Sequence, residues 1–177
     1  MARKEALREL QSRLAERLQA ARTQQRGSSW LAVECAGRGF LFPLREAGEI
    51  FSAAALVSVP HTNRWFLGVS NLRGHLHGVV DLAGFLGLKA ADAAAPAAGP
   101  GQGQLVGFNQ TLDLNCVLMV DRLAGLRGEE QLTREADDGL PRPTFVGVRL
   151  RDSSGRVWQE LSLAALAGDE AFLRIVG

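Results

Sequence analysis

Apolar and polar positions alternate with a short period along most of this chain. The densest case is 65–82, Trp65-Phe66-Leu67-Gly68-Val69-Ser70-Asn71-Leu72-Arg73-Gly74-His75-Leu76-His77-Gly78-Val79-Val80-Asp81-Leu82. Leu67 and Val69 alternate with Phe66 and Ser70. Beyond the glycine, Leu76, Val80 and Leu82 alternate with His75, His77 and Asp81. Period-two alternation on both sides of Arg73-Gly74 predicts a β-hairpin. Gly74 suits its tight corner because glycine reaches positive φ without a Cβ penalty. Arg73 then sits on a stiff tip facing solvent, either as an ordinary turn residue or as a recognition group.

Other segments read the same way. Trp30–Cys35 and Phe40–Phe42 predict a hairpin turning at Gly37-Arg38-Gly39, and Pro43 ends its second strand. Leu44–Phe51, with Glu46, Glu49 and Ile50, reads as a short helix, and Leu56–Pro60 as a short strand. Asp81 is placed to cap a helical turn from Leu82 to Leu86, closed by Gly87. Leu105–Phe108 and Cys116–Val120 predict two strands around a turn. Gly128–Pro143 reads as a polar loop. Phe145–Leu150 and Val157–Leu161 predict a last hairpin, with helical turns at Leu163–Leu166 and Glu170–Val176. The unit Val120-Asp121-Arg122-Leu123 echoes Val80-Asp81-Leu82, which suggests a degenerate internal repeat.

Two stretches depart from this rhythm. Residues 2–22 carry Leu7, Leu10, Leu14, Leu18 and Ala21 at three- and four-residue steps, the pattern of an amphipathic helix that packs on the domain or docks on a partner. Residues 90–104 are almost all Ala, Gly, Pro and Gln and read as a mobile loop. Their glycines lack the Gly-Lys-Ser/Thr that a phosphate loop needs. Short strands at close spacing, with little helix beyond the amino terminus, favour small β-barrels over a parallel sheet.

Composition narrows the function classes. The chain has 177 residues, 46% apolar and 22% charged, with net charge +1, which fits a globular protein without a strong global field. Residues 1–26 hold seven basic and three acidic groups, so the remainder is net negative. That distribution, with 6% aromatics and no tyrosine, fits a nucleic-acid surface poorly. No run approaches the ~20 apolar residues of a membrane span, and the charged amino terminus lacks a secretory segment, so a cytoplasmic location without membrane insertion is expected. Cys35 and Cys116 sit in apolar runs and behave as small buried hydrophobes. His75 and His77, two apart on one strand, could share a metal ion with Asp81, but a solvated strand face accounts for them better. Asp81 and Asp121 fit strand-end capping better than paired catalytic carboxylates. No catalytic constellation, metal site or cofactor motif is found, and no enzyme is predicted. A small nucleic-acid-binding or metal-dependent barrel is the alternative reading.

The pattern Gly68-Val69-x-Asn71-Leu72-Arg73-Gly74, then Val80-Asp81-Leu82 and Phe85-Leu86-Gly87-Leu88, resembles the CheW family of chemotaxis coupling proteins. Trp65-Phe66-Leu67-Gly68 and Trp158-Gln159-Glu160-Leu161 are most similar to its type IV pilus branch, the PilI-like proteins of twitching motility. The resemblance implies a mainly β fold of two SH3-like five-stranded barrels sharing a core. The domain then spans 28–167, after an amino-terminal helix at 1–26 and before a tail or helical turn at 168–177. It also implies a non-catalytic adaptor between the cytoplasmic tip of a methyl-accepting chemoreceptor and the regulatory domain of a CheA-like histidine kinase. On that resemblance the receptor-facing residues are Arg73, Gly74, Glu49, Ala47 and Ile50. Glu49 is expected to hold the Arg73 guanidinium in a partly buried, bidentate ion pair. The kinase-facing residues are left unassigned.

Overall fold

The computed structural model describes residues 13, 15–16, 27–89 and 103–177. The amino-terminal helix expected over 2–22 lies outside them, apart from the helical Arg13, Ala15 and Glu16, as does the loop expected over 90–104 up to residue 102. Eleven strands are described: β1 Ser29–Cys35, β2 Arg38–Pro43, β3 Ala47–Ser52, β4 Phe66–Leu72, β5 His75–Asp81, β6 Gln104–Phe108, β7 Cys116–Val120, β8 Arg122–Gly128, β9 Leu132–Arg134, β10 Val146–Asp152 and β11 Val157–Leu161. Three short α-helices accompany them among the described residues, α1 Leu82–Phe85 between β5 and β6, and α2 Leu163–Ala167 and α3 Glu170–Leu173 after β11.

The strands form two sheets. One runs β8-β1-β2-β11-β10-β9, the other β3-β6-β7-β5-β4. The first gathers strands from both ends of the described chain, and the second is inserted between β2 and β8. Each contains one parallel pair, β2 with β11 and β5 with β7. The expected two small β subdomains are present. One has five strands, and the other gains a sixth where β9 pairs with β10.

Burial explains why several strands read as continuous apolar runs. On β7, Cys116, Leu118 and Val120 enter a core shared by the two sheets. The alternate residues Val117 and Met119 pack inside their own sheet with Leu72, Val79 and Leu105. On β1, Leu31, Val33 and Cys35 face the shared core, while Trp30 and Ala32 pack with Leu41, Leu150 and Trp158. A strand between two apolar compartments has no wet face, so both parities must be apolar. The indoles of the second compartment find acceptors: Trp30 Nε1 donates to Glu160 Oε2 at 2.6 Å, and Trp158 Nε1 to Asp152 Oδ2 at 2.9 Å. The shared core is closed by α3, whose Phe172 ring stacks on Trp65 at 6.2 Å and meets Phe85 edge-on at 5.2 Å.

Some expectations are corrected. Leu44–Phe51 is not a helix: from Ala47 onward it is β3, paired with β6 through Ile50↔Val106 and Phe51↔Leu105. Gly48 permits this, because a Cβ there would lie 2.4 Å from the Phe108 carbonyl oxygen. The Leu56–Pro60 strand shrinks to a single bridge, Val57 with Val69. Asp81 stands before α1 but makes no side-chain cap, and its carboxylate instead accepts from Lys89 Nζ at 2.7 Å. Asp121 accepts from the backbone N–H of Ala36 at 2.8 Å, supporting the β1–β2 turn rather than a helix. In β5 the predicted alternation fails at both ends, with Leu76 exposed and Asp81 buried.

A candidate docking site at the Arg73 turn

The β4–β5 corner is a two-residue loop. Leu72 pairs with His75, and Arg73 and Gly74 between them have φ of 50° and 85°. Positive φ at both central positions is the type I′ turn, whose twist matches the flanking strands. Asn71 Oδ1 accepts the Gly74 N–H at 2.9 Å and braces the corner. Glycine occupies its left-handed position freely. Arginine does so at a cost of about 1 kcal/mol. A bulky cation is therefore held where asparagine or glycine would fit with less strain.

Two groups on β3 hold the Arg73 guanidinium. Its Nη1 donates to Glu49 Oε1, and its centre lies 5.6 Å from the Phe51 ring centroid. The Glu49–Arg73 pair expected from the resemblance is present, but it is neither partly buried nor bidentate. One nitrogen makes the contact, and the Arg73 and Glu49 side chains are 68% and 57% exposed. Such a pair orients more than it stabilises, because solvent screens both charges. Ile50 is also exposed, at 40%, and Ala47 is half-buried at the start of β3. The strand thus brings Ala47, Glu49 and Ile50 to the same edge of the sheet. Glu46, just before it, is buried and accepts from Ser162 Oγ and the Ala164 N–H, both at 3.1 Å, which ties β3 to α2.

Sequence reasoning did not foresee the surroundings of this cation. Phe51 also meets the His77 ring, at 5.8 Å between centroids. Beside them opens a groove of about 600 Å³, walled by Glu49, Arg73, His75, His77 and Asp113. The same-parity histidines are a visible signal in the sequence, but the pairing of β3 with β6 that delivers Phe51 is not. His75 and His77 do not share a metal centre with other ligands: among the described residues no three His, Cys, Asp or Glu side chains are grouped for one. Nor is any described helix long and apolar enough to cross a membrane.

The sequence profile of the CheW-like domain matches residues 29–171. The chain belongs to the CheW-like family. It is similar to protein PilI of Pseudomonas aeruginosa, with 28% identity over 169 residues, covering 92% of this chain and 88% of that protein. In fold it is similar to the scaffolding protein TtCheW of Thermoanaerobacter tengcongensis, with a TM-score of 0.57 at 14% identity, over 76% of this chain and 88% of the other. Two small β subdomains around one shared core are thus the CheW-like architecture. In this CheW-like chain the Asn71–Gly74 motif is the type I′ corner itself.

Proposed function

We propose that this chain is a non-catalytic adaptor that couples a methyl-accepting chemoreceptor to a CheA-type histidine kinase, in a system controlling type IV pilus twitching motility. On this reading it works in the cytoplasm and is recruited to membrane-associated receptor arrays. The observation that carries the reading is Arg73: an exposed cation on a strained, braced turn, held by Glu49 and Phe51, in a chain of the CheW-like family. Arginine is well suited to protein recognition, since its planar head offers several donors and loses little freedom on docking. The receptor tip is proposed to contact Arg73 and Gly74 on the corner and Ala47, Glu49 and Ile50 on β3. The similarity to PilI supports the pilus assignment.

The test is reconstitution. The purified chain is mixed with a soluble receptor cytoplasmic fragment and a kinase regulatory domain from the same genome. A ternary complex in sizing chromatography, lost with Arg73→Glu at the receptor step alone, is the expected result. No binding to either partner, or oligonucleotide binding that survives physiological salt, overturns the reading.

A further inference from the structure

A second groove, of about 500 Å³, shares no wall residue with the one beside Arg73. Strand register explains where it lies. Phe40, Gln159 and Arg149 form one row across β2, β11 and β10, so they share a face of the six-stranded sheet. Phe40 enters the shared core. The same face continues to Gln159 and Arg149 and there becomes a groove wall, with Leu86 and Leu88 from the α1 exit as further walls. Three guanidiniums line the groove, those of Arg38, Arg149 and Arg156, and no carboxylate does. The carboxylates nearby stand behind them. Glu34 is shared by Arg156 and Arg122, and Asp138 by Arg149 and Arg142. Asp137 lies 3.6 Å from Arg142, and Asp121 accepts from the Ala36 N–H. Arg38, exposed on the β1–β2 turn, makes no ion pair among the described residues.

Two of these cations are held in place before any ligand arrives. Arg149 gives one nitrogen to Asp138 and Arg156 gives one to Glu34, and the Arg156 guanidinium lies 4.6 Å from the Trp158 ring centroid. A guanidinium carries several further N–H donors, which remain for a ligand. Between the cations the walls are apolar: Leu86, Leu88 and Val146 are half-buried, and Val157 is 38% exposed. We propose that this groove docks a short acidic segment of a partner protein, with leucine-type side chains on Leu86, Leu88 and Val157 and carboxylates on Arg38, Arg149 and Arg156. Charge complementarity selects the occupant, because the walls attract an anion and carry no charge that repels one. Phe40, the only ring in the walls, is buried, so a nucleic acid finds no stacking platform. The surface is separate from the Arg73 corner and does not depend on the role given to that corner.

The test uses the full chain and an acetylated peptide containing Leu-Glu-Glu-Leu-Glu, titrated by ¹H–¹⁵N NMR at pH 7.5 and fixed ionic strength. Saturable binding is expected, with shifts at Arg38, Leu88 and Val157 and none at Arg73. The same peptide with Gln in place of Glu is expected to bind roughly ten-fold more weakly. Arg38→Glu, on an exposed turn, is expected to melt with the wild type and to bind the acidic peptide roughly five-fold more weakly. Val157→Glu, which puts a carboxylate on the wall, is expected to weaken binding likewise and serves if Arg38→Glu disturbs the turn. Arg73→Glu is expected to bind the peptide as the wild type does. No saturable binding, equal affinity for the Gln peptide, undiminished affinity in either folded groove variant, or shifts confined to the Arg73 corner overturns the inference. So does an oligonucleotide that displaces the peptide at physiological salt, or self-association of the chain alone that Val157→Glu abolishes, which assigns the groove to a second copy. If a receptor fragment binds through Arg73 while the peptide does not bind, the adaptor reading stands and this inference falls.

Discussion

Val117 should be intolerant of even an isosteric change. Its neighbours on β7, Cys116 and Leu118, face the shared core, so strand alternation alone would put Val117 on a solvent face. There Val117→Thr would be nearly neutral, within about 0.5 kcal/mol, since threonine favours strands as valine does. Yet Val117 has no exposed surface and packs with Leu72, Val79, Leu105 and Met119. A threonine hydroxyl there replaces a methyl group among aliphatic side chains, and burying it without a partner costs about 1–3 kcal/mol. For a chain of this size that corresponds to a fall in melting temperature of roughly 2–12 °C. The assay is urea and thermal unfolding followed by circular dichroism, with Leu118→Ala as the companion for the other face. Leu118, also fully buried, should lose about 3–5 kcal/mol. If Val117→Thr unfolds with the wild type while Leu118→Ala is strongly destabilised, β7 has a wet face and the two-compartment account is wrong.

Other expectations follow from single contacts. Gly48→Ala should cost about 1–3 kcal/mol by urea midpoint, because the new methyl meets the Phe108 carbonyl and pushes β3 off β6. Asp152 is held at a pKa of about 2, first by the Ser154 hydroxyl and then by the Trp158 indole. Its folded value is below the unfolded one, so its contribution is present above about pH 4 and is lost as pH falls toward 2. Asp152→Asn should therefore flatten the acid limb of the stability profile in that window. The Cys35 and Cys116 thiols are pushed up to about 12, chiefly by burial. Alkylation by iodoacetamide at pH 8 should be negligible in buffer and complete in urea, and rapid labelling of the native protein would contradict their burial.

What the sequence reveals follows from how locally each feature is encoded. The β1–β2, β4–β5 and β10–β11 hairpins are legible because turn residues and strand pattern lie within a few positions of each other. β3 is not, because Glu46, Glu49 and Ile50 mimic helical spacing, whereas the strand is imposed by β6, more than fifty residues later. β8 passes unnoticed because Arg122-Leu123-Ala124-Gly125-Leu126-Arg127-Gly128 has little apolar periodicity. It is an edge strand whose register against β1 shifts between Ala32 and Val33. At the site, Arg73 and its corner are readable from Asn71-Leu72-Arg73-Gly74. The Glu49 contact follows only from family resemblance, and Phe51 against Arg73 and His77 follows from tertiary packing that no local pattern encodes.

The most direct measurement is calorimetric titration of a chemoreceptor cytoplasmic fragment into the wild-type chain and into Arg73→Glu, with melting temperatures recorded for both. An exposed turn cation that anchors a partner should cost about 2 kcal/mol or more of binding on reversal, roughly thirty-fold in Kd, while the fold melts within a few degrees of the wild type. Equal Kd values for the two proteins would contradict the assignment of this corner as the docking surface.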